Sequence, residues 1–406
     1  MDLGSGLGHL TYSTLVHPGD TWVEMRHSLE HFVPQVKARV SPDEPFGVSL
    51  RLSAASAETL TSNPAELEWL RTFLLENDLY VFTVNAFPYG PFKGAPVMER
   101  VYEPDWSTTD RVLYTNRVAD ILAAVGSTQT PPSIQTAPLA FAPNVTDGSY
   151  VDEFTDNVFR VVAHLRELEL LTGRRVTLAL EPEPACFLET TDETVAYFLE
   201  HVYSPAGVAR YARVAAVPLS EAVGDVRRYL GVVFDIGHQS VGFEDIPVSL
   251  GKLVDAGIPI FKLQPASALS ILELTDDLTD ELDAFTDTIY LSQTSERRGG
   301  VITKYLHLAD ALAAYRADPS PRELRTHFHL PVFLGDVGNI GTTRGGVERA
   351  LDLHRDQPLS DHVEIETYTW DVLPAHLKTG DIVDYVCREI EFVRDRLNLP
   401  EVKIDA

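Results

Sequence analysis

Four short strings put oxygen donors where apolar runs end: Glu181 in "VTLALEPEP", Asp235 in "VVFDIGH", Gln264 in "IFKLQPAS" and Glu366 in "HVEIETYTW". Carboxylates are costly to bury without a counter-charge, because desolvation and neighbouring like charges both oppose ionisation. Alternation in the last string sets Val363 and Ile365 on one face and Glu364 and Glu366 on the other. Two carboxylates then point at one interior, and a divalent cation resolves the conflict. A set of Glu181, Asp235, Gln264 and Glu366, with His238 three residues after Asp235, is rich in oxygen. It suits Mn, Mg, Co or Zn and leaves the metal's identity open. A structural tetrathiolate site is excluded, since the chain has 2 cysteines, Cys186 and Cys387, which read as small buried hydrophobes.

Such groups need a scaffold that brings strand ends together. Eight apolar or β-branched runs read as strands, at 9–16, 46–53, 79–87, 133–141, 175–183, 231–238, 258–266 and 362–370. Amphipathic stretches at 21–40, 64–77, 107–126, 150–173, 192–203 and 245–257 read as helices between them. "SPDEP", "SNPAE" and "DWSTTD" supply starts, and "LLTG" and "AAVG" supply ends. Eight alternating units predict a TIM (β/α)8 barrel, with a doubly wound open sheet as the alternative. A barrel also predicts that catalytic groups sit at the C-terminal ends of several strands, which is where the four donors fall.

The expected organisation is one barrel domain over 1–406 with a long insertion at about 267–335, before the last strand. That insertion reads as a helix-like run at 278–293, a polar turn "TSERRGG", a second helix in "YLHLADALAAYRA" and the extended "THFHLPVFLGD". With 33 Lys and Arg against 60 Asp and Glu, the net charge of -27 repels phosphate backbones and anionic membranes, so neither nucleic acid nor membrane insertion is expected. The N-terminus lacks a basic start followed by an apolar run, no 18-residue apolar stretch occurs, and few cysteines fit a reducing compartment; the expectation is a cytoplasmic protein.

Other residues have weaker signals. Asn85 in "FTVNAFPYG" and His17 in "VHPGD" follow strands and are candidates for contacting substrate. His327 and His329 in "THFHLP" share a face if extended, and could take a second metal ion, stand in for Gln264 or bind substrate. "GSGLG" at 4–8 precedes a strand instead of following one, which is the wrong context for a dinucleotide. "GNIGTTRGG" at 338–346 reads as a loop.

At Glu181, "DIGH", "KLQ" and "IET" the chain resembles the xylose-isomerase-like TIM barrels, which include sugar isomerases, epimerases and endonuclease-IV-type enzymes. Longer strings, "LTYSTLVHPGDTW", "VFTVNAFPYGPF", "VYEPDW", "KLQPASAL" and "VEIETYTWDVLP" among them, resemble the EboE family of metabolite traffic proteins; Ser13 and Thr326 stand where family strings carry cysteine. The resemblance implies one divalent ion, or two, held by Glu181, Asp235, Gln264 and Glu366. It implies Glu181 and Glu366 as acid and base on a small polyhydroxy or carbonyl metabolite, and His238 on a substrate hydroxyl. Partner proteins from the same gene cluster are also implied. A non-catalytic metabolite carrier and an endonuclease-IV-like phosphodiesterase are the competing expectations.

Overall fold

The computed structural model describes residues 1–94, 96–286 and 289–398. Eight parallel strands carry the chain: β1 (His9–Tyr12), β2 (Phe46–Arg51), β3 (Leu79–Asn85), β4 (Ser133–Thr136), β5 (Thr177–Leu180), β6 (Leu230–Asp235), β7 (Ile260–Gln264) and, last in sequence, a strand at His362–Ile365. Nearly every residue in them is buried, as expected of strands covered on both faces. Each strand pairs with the next from β2 to β7, the His362–Ile365 strand joins β7 to β1, and a parallel bridge from Ser13 to Ser49 links β1 back to β2. The architecture is therefore an eight-stranded parallel barrel wrapped by helices, as predicted, and the open sheet is excluded.

All eight predicted strands exist, each shorter than its apolar run because the C-terminal ends turn into site-forming loops. The helices Pro64–Glu76, Thr109–Val125 and Gly148–Thr172 occur close to their predicted bounds. Asn63, Thr108 and Asp147 cap them by accepting from backbone N–H groups, and Gly173 closes the last in the left-handed region (φ 71°). Two expectations fail. The predicted helix over 21–40 is two helices, Trp22–His31 and Val33–Val40, divided around Phe32 with Pro34 in the first turn of the second. "SPDEP" starts no helix; Ser41 ends one, and the segment leads into β2.

The insertion builds its own sheet, which runs past the expected bound at 335 to Thr342. Strands β8 (Ser267–Ile271), β9 (Thr294–Arg298), β10 (Val301–Tyr305), β11 (Glu323–Leu330), β12 (Asp336–Val337) and β13 (Ile340–Thr342) form an antiparallel sheet in the order β10-β9-β11-β8-β13-β12; the barrel's last strand is thus β14 (His362–Ile365). "TSERRGG" is not a polar turn between helices but the β9–β10 hairpin. Gly299 and Gly300 both take positive φ, 55° and 84°, which a two-residue hairpin loop demands. Its arginines are neutralised, Arg297 by Glu323 and Arg298 by Asp318. The helix-like run at 278–293 includes two residues, 287 and 288, outside the described ones; what is described is a short helix, Asp276–Leu282, and a 3-10 turn. Leu269, Leu282, Leu308, Leu312, Leu324 and Phe328 make an apolar cluster separate from the barrel's main core.

Candidate metal centre

Asp235 ends β6 and caps the short helix Ile236–Val241: its Oδ1 accepts from the His238 backbone N–H at 2.9 Å. The three-residue spacing has this local cause, and it leaves Oδ2 aimed elsewhere. Oδ2 is buried with no hydrogen-bond partner, 3.9 Å from His238 Nε2. Beside it in register, Gln264 ends β7 with neither amide atom partnered and no exposure. Glu181, after β5, takes Gln135 Nε2 on Oε2 at 2.6 Å while its Oε1 has no partner. Buried polar groups are ordinarily hydrogen-bonded, so three orphaned donors at adjacent strand ends mark a place for something else.

The second sheet completes the cluster. Alternation along β11 turns His327 and His329 to one side, as predicted, and their Nε2 atoms lie 2.8 Å apart. Each histidine is oriented from behind: His238 Nδ1 donates to the Pro182 carbonyl, His327 Nδ1 to Gln293 Oε1 and His329 Nδ1 to the Glu366 carbonyl, at 2.9, 2.8 and 2.8 Å. With each Nδ1 carrying the proton, all three Nε2 atoms present lone pairs, and two of these meet head-on. A cation relieves that repulsion, and an oriented imidazole with its other nitrogen bonded to an oxygen is the usual form of a metal ligand. Potential ligand atoms lie within 4.8 Å of one another in three overlapping groups: His238–His327–His329, Glu181–Asp235–His238 and Asp235–His329–Glu366. The residues present fit a divalent ion, and the overlap of groups leaves room for a second.

Electrostatics agree. Burial pushes the Glu181 carboxyl well above the usual carboxylate range, and the charges of Glu366 and Asp235 add to it. Glu366 is raised likewise by burial and by Glu364 and Asp235. Burial raises Asp235 to about 6 and lowers His238 and His329 to about 4, so the histidines are neutral at pH 7. Neutral histidines and reluctant carboxylates describe a site waiting for positive charge.

Not every expectation about these residues holds. Glu364 does not face the cluster's cation position: it lies deeper in the barrel, paired at 2.8 Å with Lys262, both fully buried. Lys262 is the cation that resolves that burial, and it also donates to Gln135 Oε1 at 2.6 Å. Asn85 lines the cavity, but its amide is committed, donating to Glu366 Oε1 at 2.8 Å and accepting from the Phe87 N–H, so it positions Glu366. His17 falls outside the cavity lining. The chain turns through a 3-10 helix after β1, and His17 stacks on Phe32, bonds Tyr12 and is lowered by burial to about 3. "GNIGTTRGG" belongs to the second sheet: Thr343 accepts from the Ala268 N–H, and Arg344 pairs with Glu348.

Sequence reasoning passed over Glu183, two residues beyond Glu181 in "LEPEP" and lining the same cavity. It accepts from Tyr102 and from Gln293 Nε2, lies 3.9 Å from His327 Nδ1, and burial raises it to about 8. The i, i+2 spacing of two glutamates was the available signal.

A pH dependence follows. Glu183 at about 8, Glu389 at about 7, and Glu181 and Glu366 above the usual range keep protons in the folded chain at pH values where the unfolded chain, at about 4.3, has released them. The folded state then binds more protons than the unfolded one, so stability falls as pH rises. The buried histidines act oppositely, mostly below about 7.5, and so does the buried N-terminal amine, lowered by burial from 8.0 to about 5; the four carboxyls outweigh them above that. The thermal midpoint of chelator-treated protein is expected to be lower at pH 8.5 than at pH 6.5, with the difference reduced in Glu181→Gln. A midpoint unchanged or higher at pH 8.5 would contradict the assignment.

No protein-family model matches the chain, and no curated protein matches it. Solved structures match it along nearly its whole length. The probable 3-DHS dehydratase AsbF involved in petrobactin synthesis in Bacillus anthracis is 11% identical (95% of this chain, 98% of that one, TM-score 0.45). IolI, whose crystal structure holds a zinc atom, is 10% identical (96% and 97%, TM-score 0.46), and a D-tagatose 3-epimerase-like protein is 14% identical (96% and 97%, TM-score 0.47). At these identities the likeness concerns fold alone, and the barrel assignment rests on the strand pairing above. None of the helices among the described residues is long and apolar enough to cross a membrane.

Proposed function

We propose that this chain is a divalent-metal-dependent isomerase or epimerase that moves a proton next to the carbonyl of a small hydroxycarbonyl metabolite. The clustering of Glu181, Asp235, Glu366 and three histidines at ligand spacing, with Glu181 Oε1, Asp235 Oδ2 and the amide of Gln264 beside Asp235 in register all unpartnered, carries this reading. Asp235, Glu181, Glu366, His329 and Gln264 would hold the ion, which when bound supplies Lewis-acid polarisation of substrate oxygens.

The protein's own groups do the rest. Glu181 and Glu366 come from strands three places apart around the barrel, β5 and β14, so a substrate between them meets one carboxylate on each face. One takes the proton and the other returns it. Gln135 holds Glu181 by Oε2 and Asn85 holds Glu366 by Oε1, which fixes both for the exchange. His238, donating backward to Pro182, turns Nε2 toward the site, where it accepts from a substrate hydroxyl. The EboE-type strings and the two unpaired, buried cysteines support a cytoplasmic role in a metabolite pathway.

The test is solvent exchange. Metal-loaded protein in D2O is incubated with a panel of 2-hydroxyaldehydes and 2-hydroxyketones, and loss of the C–H signal is followed by NMR. Exchange is expected in the parent and should fall by on the order of 100-fold or more in Glu181→Gln and Glu366→Gln, the usual scale for a general acid or base. Compounds that bind without exchanging in any case would make the chain a carrier and overturn the enzyme reading.

A further inference from the structure

The same cavity has a composition that a sugar site would not need. Roughly 500 Å3 of space not filled by protein atoms, part of it open to solvent, lies above the cluster. Several of its polar side chains are committed to one another. Asn85 is bonded to Glu366 and Phe87, Gln135 to Glu181 and Lys262, and Tyr102 to Glu183. Besides the histidines and the hydroxyls of Tyr290 and Tyr368, the rest of the wall is mostly apolar, with Leu15, Phe87, Phe92, Met98, Val101 and Leu291 on it. Phe92, Tyr290 and Tyr368 pack ring against ring on one side, with centroids 4.8 to 5.3 Å apart. A polyhydroxy chain laid along this wall would bury hydroxyls with few partners, at a cost each time.

Charge narrows the choice further. No Lys or Arg lines the cavity among the described residues. Cations around it are committed elsewhere: Lys262 to Glu364 and Gln135, Lys93 to the Tyr368 carbonyl and Asp371, Arg51 to the carbonyls of Gly19 and Gly90, and Arg111 to those of Pro104, Ala86 and Phe87. With the ion taken up by the oxygen pair, a phosphate on the body of the substrate would meet no lysine or arginine along the wall to receive it.

Resting on the metal-site reading above, we infer that the substrate is unphosphorylated and bipartite, with an oxygen pair at the cluster and a flat apolar body, of aromatic size, against the Phe92–Leu291 wall. Apolar burial of the body supplies affinity and the oxygen pair supplies orientation, the division found in most small-molecule sites.

Four hydroxamates that share one chelating head but differ in body test this by calorimetry on the full, metal-loaded chain: acetohydroxamate, benzohydroxamate, D-gluconohydroxamate and phosphoglycolohydroxamate. Benzohydroxamate is expected to bind on the order of 10-fold to 100-fold more tightly than acetohydroxamate, the gain from burying one phenyl ring. The gluconoyl and phosphoryl compounds should bind no better than acetohydroxamate. Phe92→Ser and Leu291→Asn should each shrink the benzohydroxamate advantage, with metal content measured on every sample. Equal affinities for the benzoyl and acetyl compounds, or tightest binding of the gluconoyl or phosphoryl one, would overturn the inference while leaving the metal site intact. A protein that takes up no metal would remove the reading beneath it, and failure of all four on metal-containing protein would overturn the inference by itself.

Discussion

Replacing Lys262 by Met is expected to destabilise the protein by about 3–5 kcal/mol, the cost of stranding one member of a buried ion pair. Lys262 and Glu364 are both fully buried and 2.8 Å apart, and Glu364 Oε1 has no other partner. Without the ammonium, Glu364 is a carboxylate in the barrel interior with nothing to balance it. The double variant Lys262→Met with Glu364→Leu is expected to recover most of the loss, because well-packed apolar residues often replace a buried pair without penalty. Chemical denaturation of the three proteins in the presence of a chelator measures both effects. A loss below about 1 kcal/mol for the single variant, the scale of an exposed pair, would contradict the buried assignment. Lys262 also bonds Gln135, which in turn holds Glu181, so the same substitution loosens the metal cluster from below.

Gln264→Leu is expected to move two quantities in opposite directions. The buried amide has no partner for either atom, so replacing it with a hydrocarbon of similar size should stabilise the metal-free protein by about 1–3 kcal/mol. As a ligand removed, it should weaken metal binding by at least the roughly 10-fold to 100-fold that loss of a mere supporting group costs. Denaturation with chelator present, and metal titration, read the two separately. Stabilisation with unchanged metal affinity would remove Gln264 from the ligand set and leave His329, Asp235 and Glu366 to hold that side of the ion.

The barrel and the candidate cluster of donors were legible for the same reason. Strands buried on both faces must be apolar runs, so a charged or amide group at the end of one stands out, as Asp235 does after "GVVF" and Gln264 after "IFKL". Lys262 was not legible, since a lone lysine inside a short strand reads like any snorkelling surface residue until its partner Glu364, 102 residues away, is in place. The second sheet hid because its strands have little apolar patterning: β10 is exposed along almost its whole length and β9 ends in two arginines. Several helices also escaped, among them Ala54–Ser62 with a single leucine; Leu219–Tyr229 escaped although Leu219, Ala222, Val223, Val226 and Tyr229 carry helical spacing. His17 was misplaced because strand-end logic assumes the chain continues into the pocket, and here Thr14–Val16 turns it back toward Phe32.

The central claim is that Glu181, Asp235, Gln264 and Glu366, with histidines from β11, hold a divalent ion. Metal content by mass spectrometry, on protein incubated with Mn, Co or Zn and then desalted, tests it most directly, comparing the parent chain with Asp235→Asn and Glu366→Gln. The account predicts at least about one ion per folded parent chain and loss of it in both variants, since each removes a charged donor from a closely packed set. A folded parent that retains no ion, or variants that retain as much as the parent, would contradict it.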